Sequence, residues 1–190
     1  MGCDVLATDV PNVISSVLNS NVSKNLPNLP LDSGTIQVRE LDWTIPPDEW
    51  TWDDHQIIAS PHVRPSSSSD KAEEILKPPF DFIITSDTLY NPDLIHPLFR
   101  SIHALSTLPA SSSCTSRSPI IYLCVERRDP ILIDRALREA KELWGFKTER
   151  IAHKKLVKVI EKADFKWDRE DWEGIEIWKL VSTRNTRDKS

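Results

Sequence analysis

The chain has 190 residues, 39% of them hydrophobic and 28% charged, a balance that suits one globular domain with a core of its own and excludes a disordered or fibrous chain. Its formal charge of −5 argues against non-specific nucleic-acid binding by the whole chain, so no direct nucleic-acid partner is expected. No apolar run approaches the roughly 18 residues that a membrane span needs, so no membrane partner is expected either.

The first predicted element is a short strand, Val5-Leu6-Ala7, ending at Thr8-Asp9. Pro11 then opens a helix in which Val13/Ile14, Val17/Leu18 and Val22 recur every three to four residues. A second strand, Ile36 to Leu41, is closed by Asp42-Trp43. From 44 to 79 the periodicity is lost, and Pro46-Pro47, Pro61, Pro65 and Ser66 to Ser69 mark an irregular surface insertion with a mobile centre. Phe80 to Ile84 is the third strand, running into Thr85-Ser86-Asp87-Thr88-Leu89-Tyr90.

Pro92 starts a helix with Leu94/Ile95, Leu98/Phe99, Ile102 and Leu105 on one face, and 109–119 reads as a Ser-rich linker. Ile120 to Val125 is apolar throughout, as expected for a parallel strand covered on both faces, and Glu126-Arg127-Arg128 follows it. Asp129-Pro130 caps and opens another helix, with Ile133, Ala136/Leu137, Ala140 and Leu143/Trp144 inward and Gly145 as its stop. A strand near Phe146 to Ile151, a mixed stretch and a final strand from Ile175 to Val181 complete one domain over 1–182, with a disordered tail at 183–190. The order is α/β, with a mostly parallel sheet.

Two minor features call for bland readings. Lys147 to Lys166 carries seven Lys and Arg against three acids, which suits a solvated face better than a docking surface for an acidic partner. Cys3, Cys114 and Cys124 show no metal-ligand spacing and read as free thiols in a reducing compartment, cytoplasmic or nuclear, with no metal.

In open parallel sheets ligands bind beyond the carboxyl ends of the strands. Asp9, Asp42, Asp87 and Glu126 close four successive strands, which points to one site. A carboxylate in that position can accept both hydroxyls of a ribose. Trp43 offers a flat surface for an adenine, or ordinary aromatic packing. Asp87 and Tyr90 either share a small pocket, or cap and pack the opening of a helix. Among Gly2, Gly34, Gly145 and Gly174 there is no Gly-x-Gly turn of the kind that brings backbone close to a nucleotide.

The segments Ala7-Thr8-Asp9-Val10, Glu40-Leu41-Asp42-Trp43, Thr85 to Tyr90 and Cys124 to Arg128 together resemble the methyltransferase-like protein-lysine methyltransferases of the seven-β-strand class. The likeness runs from Val5 to about Lys179, and the Asp87 to Tyr90 Asp-x-x-Tyr is its most specific part. It implies a Rossmann-like seven-stranded sheet with the first strand and its glycine-rich loop missing ahead of Val5. It also implies S-adenosyl-L-methionine as cofactor, with Asp9 on the ribose, Val10 beside the adenine, Asp42 and Trp43 flanking it, and Ser86 along the cofactor. Asp87 and Tyr90 would line the channel for the target lysine of a protein substrate, and the enzyme would be a monomer.

Overall fold

Each of two β-sheets is built from one stretch of sequence. The computed structural model describes residues 2–62, 74–107, 118–163 and 168–183. Where the pattern of apolar residues suggested one domain over 1–182, the residues cluster as two compact units, Met1–Lys77 and Pro78–Ser190. The expected mobile centre of the insertion, most of the Ser-rich linker and nearly all of the tail lie outside the described residues.

In the first unit, β1 (Val5–Asp9) pairs in parallel with β2 (Ile36–Leu41), placing Asp9 opposite Glu40. Parallel strands need a crossover. It consists of α1 (Pro11–Val13), a π-turn (Ile14–Leu18) and α2 (Asn19–Asn25). Pro11 suits the first turn because it has no N–H to leave unpaired.

A third parallel strand, β3 (Ile57–Ala59), joins the other side of β2, so the stretch 44–79 is not wholly irregular. Three residues are too few to show a period. What holds β3 is backbone bonding, from the Glu40 N–H to the Gln56 carbonyl at 2.7 Å and from the Asp42 N–H to the Ala59 carbonyl at 3.0 Å.

Leu41, Ile58 and Ala59 form the core of this unit, with Leu6, Trp43, Ile45, Trp50 and Trp52 packed against it. Arg39 is fully buried; its guanidinium donates to the carbonyls of Leu76 at 3.1 Å and Thr51 at 3.4 Å and lies 5.5 Å from the centre of the Trp52 ring. Burial pulls its pKa below the ordinary arginine value, against the opposing charges of Asp54 and Asp53. The Gln37 amide grips the same strap, donating to the Glu74 carbonyl at 2.6 Å and accepting from the Leu76 N–H at 2.9 Å. Polar side chains of β2, not a fourth strand, therefore tie 74–77 to the sheet.

In the second unit, β4 (Phe82–Ser86) runs parallel to β5 (Ile120–Glu126), with α3 (Pro92–Thr107) between them in sequence. After α4 (Pro130–Glu142) come β6 (Phe146–Arg150), α5 (His153–Lys162) and β7 (Ile175–Ser182). β7 inserts antiparallel between β5 and β6, giving the order β4-β5-β7-β6. The stretch read as mixed thus contains α5, whose lysines mask a short apolar stripe that buries only Ile160.

Ile95, Leu98, Phe99 and Ile102 of α3 and Ile133, Ala136, Leu137 and Ala140 of α4 are buried, as their spacing predicts. Each fully buried aliphatic side chain contributes about 1.5–3 kcal/mol. β5 departs from expectation: Ile121, Leu123 and Val125 are buried, whereas Ile120, Tyr122 and Cys124 are only partly so. One face of the strand is therefore covered more fully than the other. β4 has a strand on one side only among the described residues, and Phe82 and Ile84 are exposed there.

Asp129 caps α4, its Oδ1 accepting from the N–H groups of Ile131 and Leu132, both at 3.0 Å. Asp129→Ala should lower the stability of this unit by about 1 kcal/mol in urea denaturation, because two N–H groups of the first turn lose their acceptor. An unchanged midpoint would show that water replaces the cap at no cost.

Candidate functional site

Parallel pairing places the carboxyl ends of β1 and β2 at the same end of one sheet. Asp9, Val10, Asp42 and Trp43 all lie there, in the first unit. The partly buried Asp9 accepts from the Val10 N–H at 2.8 Å through one oxygen, Oδ1. Asp42 folds its carboxylate onto the next turn, where Oδ1 accepts from the Thr44 N–H at 2.8 Å and the Thr44 hydroxyl at 2.6 Å. Trp43 packs against Leu41, Ile58 and Ala59, so core packing accounts for at least part of the ring. Among the described residues, the Asp9 carboxylate is hydrogen-bonded only to its neighbour, Val10.

Glu40 joins this group, although the strand-end pattern alone did not single it out. It stands opposite Asp9 in the ladder, is 3% exposed, and its Oε1 has no hydrogen-bond partner among the described residues. Leaving a buried acceptor unpaired costs about 1–3 kcal/mol, more when it is charged. Glu40→Leu should therefore raise the stability of the first unit by about 1–3 kcal/mol, read as a higher urea midpoint. A lower midpoint would mean that Glu40 finds a partner in solution. The available signal was its position two residues before Asp42, near the carboxyl end of β2.

Ser86, Asp87 and Tyr90 belong to the second unit. Ser86 ends β4, opposite Cys124 of β5, and is exposed. Asp87 turns the chain with φ of +53°, a left-handed conformation that costs a non-glycine residue and that Asp tolerates better than most. Its N–H donates to the Cys124 carbonyl at 3.0 Å, pinning the turn to β5. Leu89 is buried, while Asp87 and Tyr90 on either side of it are exposed. The short loop is thus anchored at its middle and presents a carboxylate and a phenol outward.

Glu126 closes β5 beside this loop. Arg128 grips it, with Nε 2.6 Å from Glu126 Oε2 and Nη2 on the same oxygen, and reaches Asp87 Oδ2 with Nη1 at 3.8 Å. The Arg128 hydrogen bond holds the Glu126 carboxyl below its ordinary pKa; Glu126 first, then Asp87, raises that of Arg128. Arg127 turns to a different cluster. Its Nη1 is 3.2 Å from Oε2 of Glu176 and its Nη2 2.6 Å from Oδ1 of Asp134. Arg150 Nη2 lies 3.1 Å from Glu176 Oε1, and the Trp178 indole donates to Glu176 Oε2 at 2.9 Å. Glu176 is 4% exposed, so this knot fixes β5, β6, β7 and α4 behind the strand ends.

An acid at a strand end, Asp9, can accept from a diol such as that of the ribose in S-adenosylmethionine, and Val10 adjoins it. The residues present offer less to the rest of the cofactor. Gly145 and Gly174 have positive φ but follow α4 and precede β7, and Gly2 and Gly34 precede β1 and β2. None follows the carboxyl end of a parallel strand. No helix among the described residues is long and apolar enough to cross a membrane. No protein-family model and no curated protein matches the chain.

Proposed function

We propose that the chain carries the acceptor and nucleoside sites of an S-adenosylmethionine-dependent protein-lysine methyltransferase of the seven-β-strand class. One observation carries the reading: acids close adjacent parallel strands in each sheet, Asp9 and Asp42 in one and Asp87 and Glu126 in the other, and Asp87 begins an Asp-x-x-Tyr loop.

In this reading Asp9, Val10, Asp42 and Trp43 of the first unit would hold S-adenosylmethionine, which supplies an electrophilic methyl group when bound. The chain's own task is to present a neutral amine. A lysine near pKa 10.4 must lose its proton, which costs roughly 4 kcal/mol near neutral pH. Asp87 offers a carboxylate and Tyr90 a hydroxyl as acceptors that fix the direction of the nitrogen, so catalysis is mainly alignment.

The test is equilibrium dialysis against labelled S-adenosylmethionine, with the chain alone and with the chain extended by a strand and Gly-x-Gly loop. Uptake that Asp9→Ala weakens by about tenfold supports the reading, since a lost charge-assisted hydrogen bond is of that size. Uptake by neither form would remove it. The absence of a glycine turn at a strand end favours a second reading, a non-catalytic module with the same shell, and that reading would then stand. Protein and small-amine acceptors offered side by side distinguish a protein methyltransferase from a small-molecule one.

A further inference from the structure

We infer that Arg128 is a positioning residue: it occupies Asp87 while no acceptor is present and yields that carboxylate to the acceptor's amine. The inference deepens the proposed function and rests on its reading of Asp87 as the group that meets the acceptor nitrogen.

The arginine is held unequally. Two of its nitrogens bind one oxygen of Glu126, the Nε at 2.6 Å, whereas only Nη1 approaches Asp87, at 3.8 Å. Glu126 is the anchor and Asp87 the loose end. The two side chains of the loose pair are 70% and 61% exposed, so the contact is of the solvent-screened kind that a competing cation displaces easily. Two carboxylates and one guanidinium also leave one negative charge unbalanced, which favours the arrival of one more monovalent cation.

A primary ammonium is compact and carries three donors, so it can take the Asp87 oxygens while the broader guanidinium stays on Glu126. The backbone of Asp87 is pinned, its N–H donating to the Cys124 carbonyl at 3.0 Å. Only Nη1 has to leave Asp87, because Nε and Nη2 keep the arginine on Glu126.

The test is an NMR titration of the full chain with Nα-acetyl-lysine amide, following the backbone signals of residues 86–90. It compares wild type with Arg128→Gln, Arg128→Lys and Asp87→Asn, each checked by circular dichroism. Removing the competitor should tighten amine binding by about two- to fivefold in Arg128→Gln, as expected for an exposed ion pair. Arg128→Lys should return towards wild type, and Asp87→Asn should lose binding. Equal or weaker affinity in Arg128→Gln, with binding lost in Asp87→Asn, would overturn the role of Arg128 and leave the acceptor site standing. Full binding by Asp87→Asn, or none by any form, would overturn the acceptor reading as well. Should Arg128→Gln not fold, Arg128→Met makes the same comparison.

Discussion

Glu176→Ala is expected to destabilise the second unit by about 1–3 kcal/mol, because the buried carboxylate that serves Arg127, Arg150 and the Trp178 indole is lost. Glu176 is 4% exposed and answers Arg127, Arg150 and the Trp178 indole together. Without it, Arg150 and the indole N–H lose this acceptor, while Arg127 keeps Asp134. Glu176→Gln keeps an acceptor oxygen but no charge, so its loss should be smaller. Urea denaturation monitored by tryptophan fluorescence measures both. Equal midpoints for wild type and Glu176→Ala would show that the β5–β7–β6 arrangement is held by its backbone ladder and apolar contacts alone.

Asp87→Asn should reduce methyl transfer by about 100-fold or more in any form of the protein that binds cofactor, the scale on which a misplaced reactant slows a reaction. Asparagine is the informative replacement because it tolerates the left-handed backbone at φ +53°, whereas alanine would add strain. The denaturation midpoint should therefore move little. Turnover unchanged in Asp87→Asn would remove this carboxylate from the mechanism. A large drop in midpoint would instead mark Asp87 as a structural turn residue.

Much of this fold was legible because helix and strand periods write themselves into apolar residues. Ile133, Ala136, Leu137 and Ala140 have helical spacing and are buried; Ile36 to Leu41 reads as a strand and forms β2. The third strand slid two residues, from Phe80–Ile84 to Phe82–Ser86, since aromatic content near Pro79 mimics a strand start. β3 was hidden because hydrogen bonds to β2 and the packing of Ile58 and Ala59 decide it, and a three-residue segment has no period. The place of β7 between β5 and β6 is likewise a tertiary choice that no local pattern records.

At the candidate site, the positions of Asp9, Asp42 and Asp87 at strand ends followed from the pattern, but their company did not. That Asp42 serves a turn through Thr44, and that Arg128 reaches back to Asp87, depend on side-chain geometry. Trp43, equally suited to adenine or core from sequence alone, packs with Leu41, Ile58 and Ala59.

The position of β4 at the edge of its own sheet, among the described residues, bears on how this protein must be handled. With Phe82 and Ile84 exposed at 56% and 73%, and no strand beyond them among the described residues, that rim is a template on which a second polypeptide can add. Concentrated samples should seed edge-to-edge assembly, and a lysine at position 84 should suppress it. In heavy water the peptide hydrogens of β4 should divide by direction, those turned to β5 lingering and those turned outward lost early, a ragged alternation within a single strand.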